Sequence, residues 1–321
     1  MILFSCSTYY HFNLSVLKPA TTNLPTRIQK IDIINYSYVP GINSFHDEYG
    51  QPINGFDSAF SWQYINSLNL LLANSPRFEI RKIYSAPKSF SLRGKNFDLK
   101  LADSICKKDS VDAAIILEKY FVDGVKTSEH MNFYYSNDIV STGDVVFWKI
   151  YDVASHKIID KYVVKDLIYV HTLSPYWGFR RNVNIFDKTL ESANRAAINY
   201  AQRIAPEWYT VDRYLYNLDN ENFNKAIDYI KQNNWDNAVD SWKNCLGFKD
   251  KTVASKAAFN IAVACETKDE LNIAIEWAAK SFLLFNNPIS EKYIEILETR
   301  IYEKKILMEQ LQASLQNKVT K

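Results

Sequence analysis

Residues 145–166 read VVFWKIYDVASHKIIDKYVVKD, and their alternation sets the fold class. Val145, Phe147, Lys149 and Tyr151 alternate with Val146, Trp148 and Ile150. After the polar run Asp152-Val153-Ala154-Ser155-His156 the alternation resumes, with Ile158, Asp160, Tyr162 and Val164 against Ile159, Lys161, Val163 and Lys165. β-branched and aromatic residues at period two on both sides of a polar turn predict a β-hairpin. One face carries charges and is expected to meet water or a thin covering layer; the other is expected to lie on a core.

Working outward, residues 113–121, AAIILEKYF, predict an apolar strand central in a sheet. Residues 123–143 are polar and irregular and read as a long hairpin loop or an extra edge strand. Strands are predicted over 28–39 and 78–84, and a short helix over 99–108. Residues 40–56 carry the turn signals Pro40-Gly41, Gly50-Gln51-Pro52 and Asn54-Gly55. Asp57 or Ser58 caps a helix that Asn74-Ser75-Pro76 ends, with Phe60, Tyr64, Leu68, Leu71 and Leu72 as its apolar stripe. On the other side, 171–186 is an aromatic, basic loop. Residues 187–205 form a helix that Pro206 stops, with Leu190, Ala193, Ala197, Ile198 and Ala201 facing inward.

The C-terminal third repeats itself. Asn233-Asn234-Trp235-Asp236-Asn237-Ala238-Val239 aligns with Asp269-Glu270-Leu271-Asn272-Ile273-Ala274-Ile275, 36 residues later. Ala226, Ala238, Ala262 and Ala274 take the small positions of close helix crossings, and Tyr229, Trp235 and Trp242 the large ones. Phe259-Asn260-Ile261-Ala262 resembles the Tyr-Asn-Leu-Gly segment of tetratricopeptide repeats. Two repeats are predicted, at about 219–252 and 255–288. A helix over 289–316 follows, with Ile294, Ile301, Met308 and Leu315 at heptad spacing as a cap. The fold class is therefore α+β: a mixed sheet with helices packed on it, then an all-α tetratricopeptide-like repeat domain. The expected boundaries are a tether over 1–27, the sheet domain over 28–210, the repeats over 211–288, and a capping helix and tail over 289–321.

The chain has 321 residues, room for two domains of roughly 150 residues each. Its 38 basic and 36 acidic residues nearly cancel, so no nucleic-acid partner is expected. Cys6, Cys106, Cys245 and Cys265 form no CxxC pair and no zinc spacing, so no metal is expected. No run of ~20 apolar residues spans a membrane. No GxSxG, HExxH, P-loop or GxGxxG occurs, the five His are scattered, and His46-Asp47-Glu48 reads as a solvated loop. The expectation is a protein without catalysis or cofactor.

Leu3-Phe4-Ser5-Cys6 has the shape of a bacterial lipobox: an apolar residue three before a Cys and a small residue just before it. Only five residues precede Cys6, so the basic and apolar leader that lipidation requires is expected upstream of Met1. The alternative is an ordinary N-terminal thiol in a cytoplasmic repeat adaptor. Leu71-Leu72-Ala73-Asn74-Ser75-Pro76-Arg77-Phe78-Glu79-Ile80, Val111-Asp112-Ala113-Ala114-Ile115-Ile116-Leu117 and the run from Trp148 to Asp160 resemble the α/β domain of bacterial envelope lipoproteins, such as the curli secretion lipoprotein and the penicillin-binding-protein activators. The whole chain resembles an uncharacterised lipoprotein family of Bacteroidota-type bacteria, with the same Leu-x-Ser-Cys start and a C-terminal helical repeat. That resemblance implies a lipid anchor at Cys6, a place at the periplasmic face of the outer membrane and an unidentified protein partner; it offers no catalytic residues.

Alignment on tetratricopeptide helices places Phe223, Ile227 and Ile230, then Phe259, Val263 and Glu266, on the inward surface that would meet a partner. The basic-plus-Asn clamp for C-terminal carboxylates is absent. A competing reading docks the first three on the sheet domain. A third candidate is the loop with Tyr176, Trp177, Arg180 and Arg181, whose flat aromatics and guanidiniums suit a glycan or an anion.

Overall fold

The computed structural model describes residues 8–37, 56–85, 98–130, 135–175 and 185–319. In chain order its elements are β1 (Thr8–Lys18), β2 (Lys30–Asn35), α1 (Phe56–Asn74), β3 (Glu79–Ser85), α2 (Leu99–Asp109), β4 (Ala113–His130), β5 (Tyr135–Asp152), β6 (Lys157–Pro175), α3 (Ile185–Ile204), β7 (Glu207–Asn217), α4 (Glu221–Lys231), α5 (Trp235–Lys243), α6 (Lys251–Thr267), α7 (Leu271–Phe285) and α8 (Pro288–Val319). This is an α+β fold with a C-terminal helical region, as predicted. The chain divides into two compact units, residues 1–19 with 208–309 and residues 20–207 with 310–321.

The second of these holds a five-stranded mixed sheet in the order β3-β2-β4-β5-β6. β2 pairs in parallel with β3 and β4, and the β4–β5–β6 meander is antiparallel. The stretch 145–166 is the β5–β6 hairpin, with Trp148 opposite Tyr162 and Val146 opposite Val164. Its turn is organised by Asp152, whose carboxylate accepts from the Ser155 N–H at 3.1 Å and from both Arg27 terminal nitrogens at 2.6 Å. His156 closes the turn with φ 54°, the left-handed conformation that such turns demand. The inward row Val146, Trp148 and Ile150 joins Ile33, Ile115 and Leu117 in a core covered by α1 and α3. Phe60, Tyr64, Leu68 and Leu72 of α1 are fully buried there, the predicted stripe apart from the partly buried Leu71. Short α2 covers only the start of the opposite face, where Ala102 and Cys106 meet Ile34, Ala114, Ile116 and Tyr151.

Three segments differ from their sequence reading. Residues 123–130 and 135–143 are strand rather than loop, and they extend β4 and β5 instead of adding an edge strand: the two stay in register from Asp123 opposite Gly143 to His130 opposite Ser136. Ladder hydrogen bonds need no apolar face, so a polar ribbon leaves little periodic signal. For the same reason 171–175 continues β6. Residues 8–18, expected as tether, form β1, which pairs with β7 in a two-stranded sheet. Tyr9 meets Tyr214 and Tyr216, His11 meets Asp212, and Lys18 lies over Tyr209, so the two strands run antiparallel.

The helical unit contains two helical hairpins, α4–α5 and α6–α7, and part of α8. Asn220, Asn234 and Asp250 cap α4, α5 and α6 by accepting from Asn222, Asn237 and Thr252 N–H groups. Asn233 and Asp269, which align in the sequence at an offset of 36 residues, occupy the same left-handed turn conformation, φ 57° and 60°. Asn260 of α6 holds β7 by two 2.8 Å hydrogen bonds, accepting from the Tyr216 N–H and donating to its carbonyl.

Candidate interaction surfaces

The six positions read as a partner-facing surface are all buried. Phe223, Ile227, Ile230, Phe259 and Val263 belong to the apolar core of the helical unit, and Glu266 is 1 % exposed. β7 and α8 supply the cover: Tyr214 stacks on Phe259 at 5.6 Å, and Tyr293 packs on the same ring at 5.1 Å. The concave face that two bare repeats would offer is thus filled from within the unit, and those residues are corrected from partner contacts to core.

Glu266 stands where the first hairpin has Ile230, and its surroundings explain the exchange. Its carboxylate accepts from Arg213 of β7 through Nε at 2.7 Å and Nη2 at 2.8 Å, and from Arg300 of α8 at 2.9 Å. The Tyr293 hydroxyl donates to the same group. Burial alone would raise the pKa of this carboxyl; the Arg213 hydrogen bonds and charge, with Tyr293 and Arg300, outweigh burial and hold it below the ordinary glutamate value. Arg300 also reaches Asp269 at 3.2 Å. The group therefore clamps β7, α6 and α8 together.

The helical unit leaves the outer row of α7 open, and on α8 it leaves Ile296, Tyr302 and Met308 exposed. Ile273, Lys280 and Leu283 are exposed, Leu283 at 82 %, and Phe285 ends the helix at 55 %. Lys280 lies over the half-buried Trp277 ring at 4.6 Å. Ile273, Trp277 and Lys280 fall at i, i+4 and i+7 with Leu283 beyond them, a largely apolar stripe that a second helix can cover.

The α/β unit buries several ionisable groups, among them Asp32, Asp144 and Asp152. Asp144 of β5 is buried and accepts from the Tyr64 hydroxyl at 2.7 Å. Burial raises its pKa from 3.8 to about 6, against the Tyr64 hydrogen bond and with help from Asp166 on the adjacent strand. A carboxyl raised in the folded state contributes stability that is complete below pH 3.8 and lost as pH rises to about 6. Asp144→Asn keeps an acceptor for Tyr64 and removes the charge. Urea titrations across that window should show it abolishing about 3 kcal/mol of the pH-dependent loss. An unchanged slope would show that Asp144 does not carry it. Asp32 is likewise raised to about 6 by burial and contributes a slope of the same sign. Asp152 is held down at about 2, first by the Arg27 hydrogen bonds. A groove of about 610 Å³ runs between α1 and α3, lined by Gln63, Ser67, Leu70, Leu190, Glu191 and Asn194.

Among the described residues no group of three or more His, Cys, Asp or Glu could hold a metal ion, and no helix is long and apolar enough to cross a membrane. Cys106, Cys245 and Cys265 are buried free thiols, with Cys106 raised to about 12 by burial. Cys6 and the loop residues Tyr176, Trp177, Arg180 and Arg181 lie outside the described residues.

A sheet body, buried carboxylates and open element faces define an α+β protein with a C-terminal helical region. The chain belongs to the family described as Domain of unknown function (DUF8603), whose model matches residues 28–216, more than half of it. A second model, Domain of unknown function (DUF6340), matches residues 224–300. No curated protein matches. Among solved structures, the chain is similar to a putative neuraminyllactose-binding hemagglutinin homolog from Helicobacter pylori, at 10 % identity and TM-score 0.32 over 56 % of this chain and 87 % of the other. It is also similar to the hypothetical protein CT253 from Chlamydia trachomatis, at 11 % identity and TM-score 0.29 over 54 % and 96 % of the two chains. A third is the lipoprotein GNA1162 from Neisseria meningitidis, at 13 % identity and TM-score 0.22 over the same two shares. Scores this low establish no common architecture across the whole aligned length.

Proposed function

We propose that this chain is a membrane-tethered, non-catalytic interaction module of the cell envelope. Acyl chains on Cys6 hold it at the periplasmic face of the outer membrane, and the helical unit, two tetratricopeptide-like repeats, presents α7 to a protein partner. The observation that carries the partner half is the bare outer row Ile273, Trp277, Lys280 and Leu283. α8 packs Tyr293 and Leu297 into the core of the unit and leaves Ile273, Lys280 and Leu283 of α7 exposed, so this row accommodates a partner helix laid along it. The anchor half rests on Leu3-Phe4-Ser5-Cys6 and on the resemblance to lipoproteins with that start. Two acyl chains suffice for stable membrane attachment.

Two measurements test the halves separately. Metabolic labelling with a fatty-acid analogue should mark the native chain and not Cys6→Ser; equal labelling removes the anchor, and a cytoplasmic adaptor takes its place. A photocrosslinker at Leu283 should give a discrete adduct in cells that one at exposed Asp228 does not. Matching patterns at the two positions remove α7 as the partner face.

A further inference from the structure

Among the described residues, only α2 packs on the outer face of the β4–β5–β6 meander. Its residues follow from the register: Phe121, Val145 and Lys165 in one row, Lys119, Phe147 and Val163 in the next, then Lys149 opposite Lys161. Leu167 and Tyr169 extend it along β6, and Tyr169 is 61 % exposed. Phe121, Val163 and Leu167 are also exposed. Two features set this face apart from an ordinary solvated one. Apolar and aromatic side chains occupy positions that water reaches. The charges among them are nearly all of one sign: Lys119, Lys149, Lys161 and Lys165 face the single carboxylate of Glu118 among the described side chains, and Glu118 pairs with Lys149. Lys149 is neutralised by Glu118, whereas Lys119, Lys161 and Lys165 are exposed on the same face.

The geometry of the lysines indicates what covers them. The Lys119 ammonium lies over the Phe147 ring at 4.5 Å and the Phe121 ring at 5.8 Å. Exposed lysines interleaved with exposed aromatic and aliphatic side chains match the boundary between acyl chains and anionic headgroups, where lysines snorkel and aromatic rings anchor. We infer that this sheet face docks on an anionic phospholipid surface. The inference rests on the proposed membrane location but not on the α7 face, and an acyl-free chain tests it independently of Cys6 lipidation.

The full chain carrying Cys6→Ser is sedimented with phosphatidylglycerol-containing vesicles and with phosphatidylcholine vesicles. Binding is expected only to the anionic vesicles and should weaken as salt rises. Replacing Lys119, Lys161 and Lys165 by Gln should weaken it about fivefold per lysine, roughly a hundredfold together. Leu167→Ser with Tyr169→Ser should weaken it at fixed salt, and it remains informative if the lysine variant fails to fold by circular dichroism. No binding to anionic vesicles, equal binding to neutral ones, or binding that both variants leave unchanged overturns the inference. Binding to polyglutamate without binding to vesicles also overturns it, in favour of an acidic protein partner.

Discussion

Glu266→Ala is expected to lower the unfolding free energy of the helical unit by about 3–5 kcal/mol in urea titrations. The cost comes from what remains. Arg213 and Arg300 have side chains only 13 % and 16 % exposed, and without the carboxylate two guanidiniums stay buried without their shared anion. Tyr293 loses its acceptor as well. Glu266→Ile, which copies Ile230 at the equivalent place in the first hairpin, should be nearly as harmful, because volume is not what is missing. Replacing Glu266, Arg213 and Arg300 together by apolar residues should recover most of the loss, since a well-packed apolar cluster can match a buried ion group. A single-variant loss under ~1 kcal/mol would show that water reaches the arginines and that the clamp is weak. The pH dependence has a definite sign. The folded carboxyl lies below its unfolded value of 4.5, so its contribution is present above pH 4.5 and disappears as pH falls through the lowered folded value.

Trp148→Ala should cost the α/β unit about 3–5 kcal/mol by the same measurement. Trp148 is fully buried at the centre of the sheet, and its ring lies nearly parallel to that of Tyr200 on α3, with centroids 4.9 Å apart and planes 6° apart. Tyr162, its neighbour across the hairpin, stacks on the same tyrosine at 6.1 Å. Removing the indole leaves a void between strand and helix that neither can close, because α3 is seated on the sheet through small Ala193, Ala196, Ala197 and Ala201. Trp148→Phe, which fills most of the volume, should cost much less. If Ala and Phe cost the same, packing against Tyr200 is not what the indole contributes.

Both sites show what could be read in advance. The hairpin around Trp148 was legible because a strand's two faces differ at period two within a few residues, and the stripes of α1 and α3 because helical spacing is equally local. The repeat offset was legible for a similar reason: Asn233 and Asp269 meet the same turn geometry with residues that tolerate it. β1 carries a period-two signal of its own, in which Tyr10, Phe12, Leu14 and Val16 alternate with exposed Tyr9, His11, Asn13 and Ser15. Its polar half made it look like a tether.

Local periodicity is enough to specify the α+β class, the strand pair at 145–166 and the helical hairpins, because each rests on contacts between near neighbours in the chain. Long-range packing is what pairs residues 8–18 with 207–217, puts Phe223, Ile227, Ile230, Phe259 and Val263 in a core and makes Glu266 the centre of an ion group. The reason is distance along the chain. A residue's period states which side it shares with its neighbours, but whether that side meets water, a strand or two arginines depends on segments tens to hundreds of positions away.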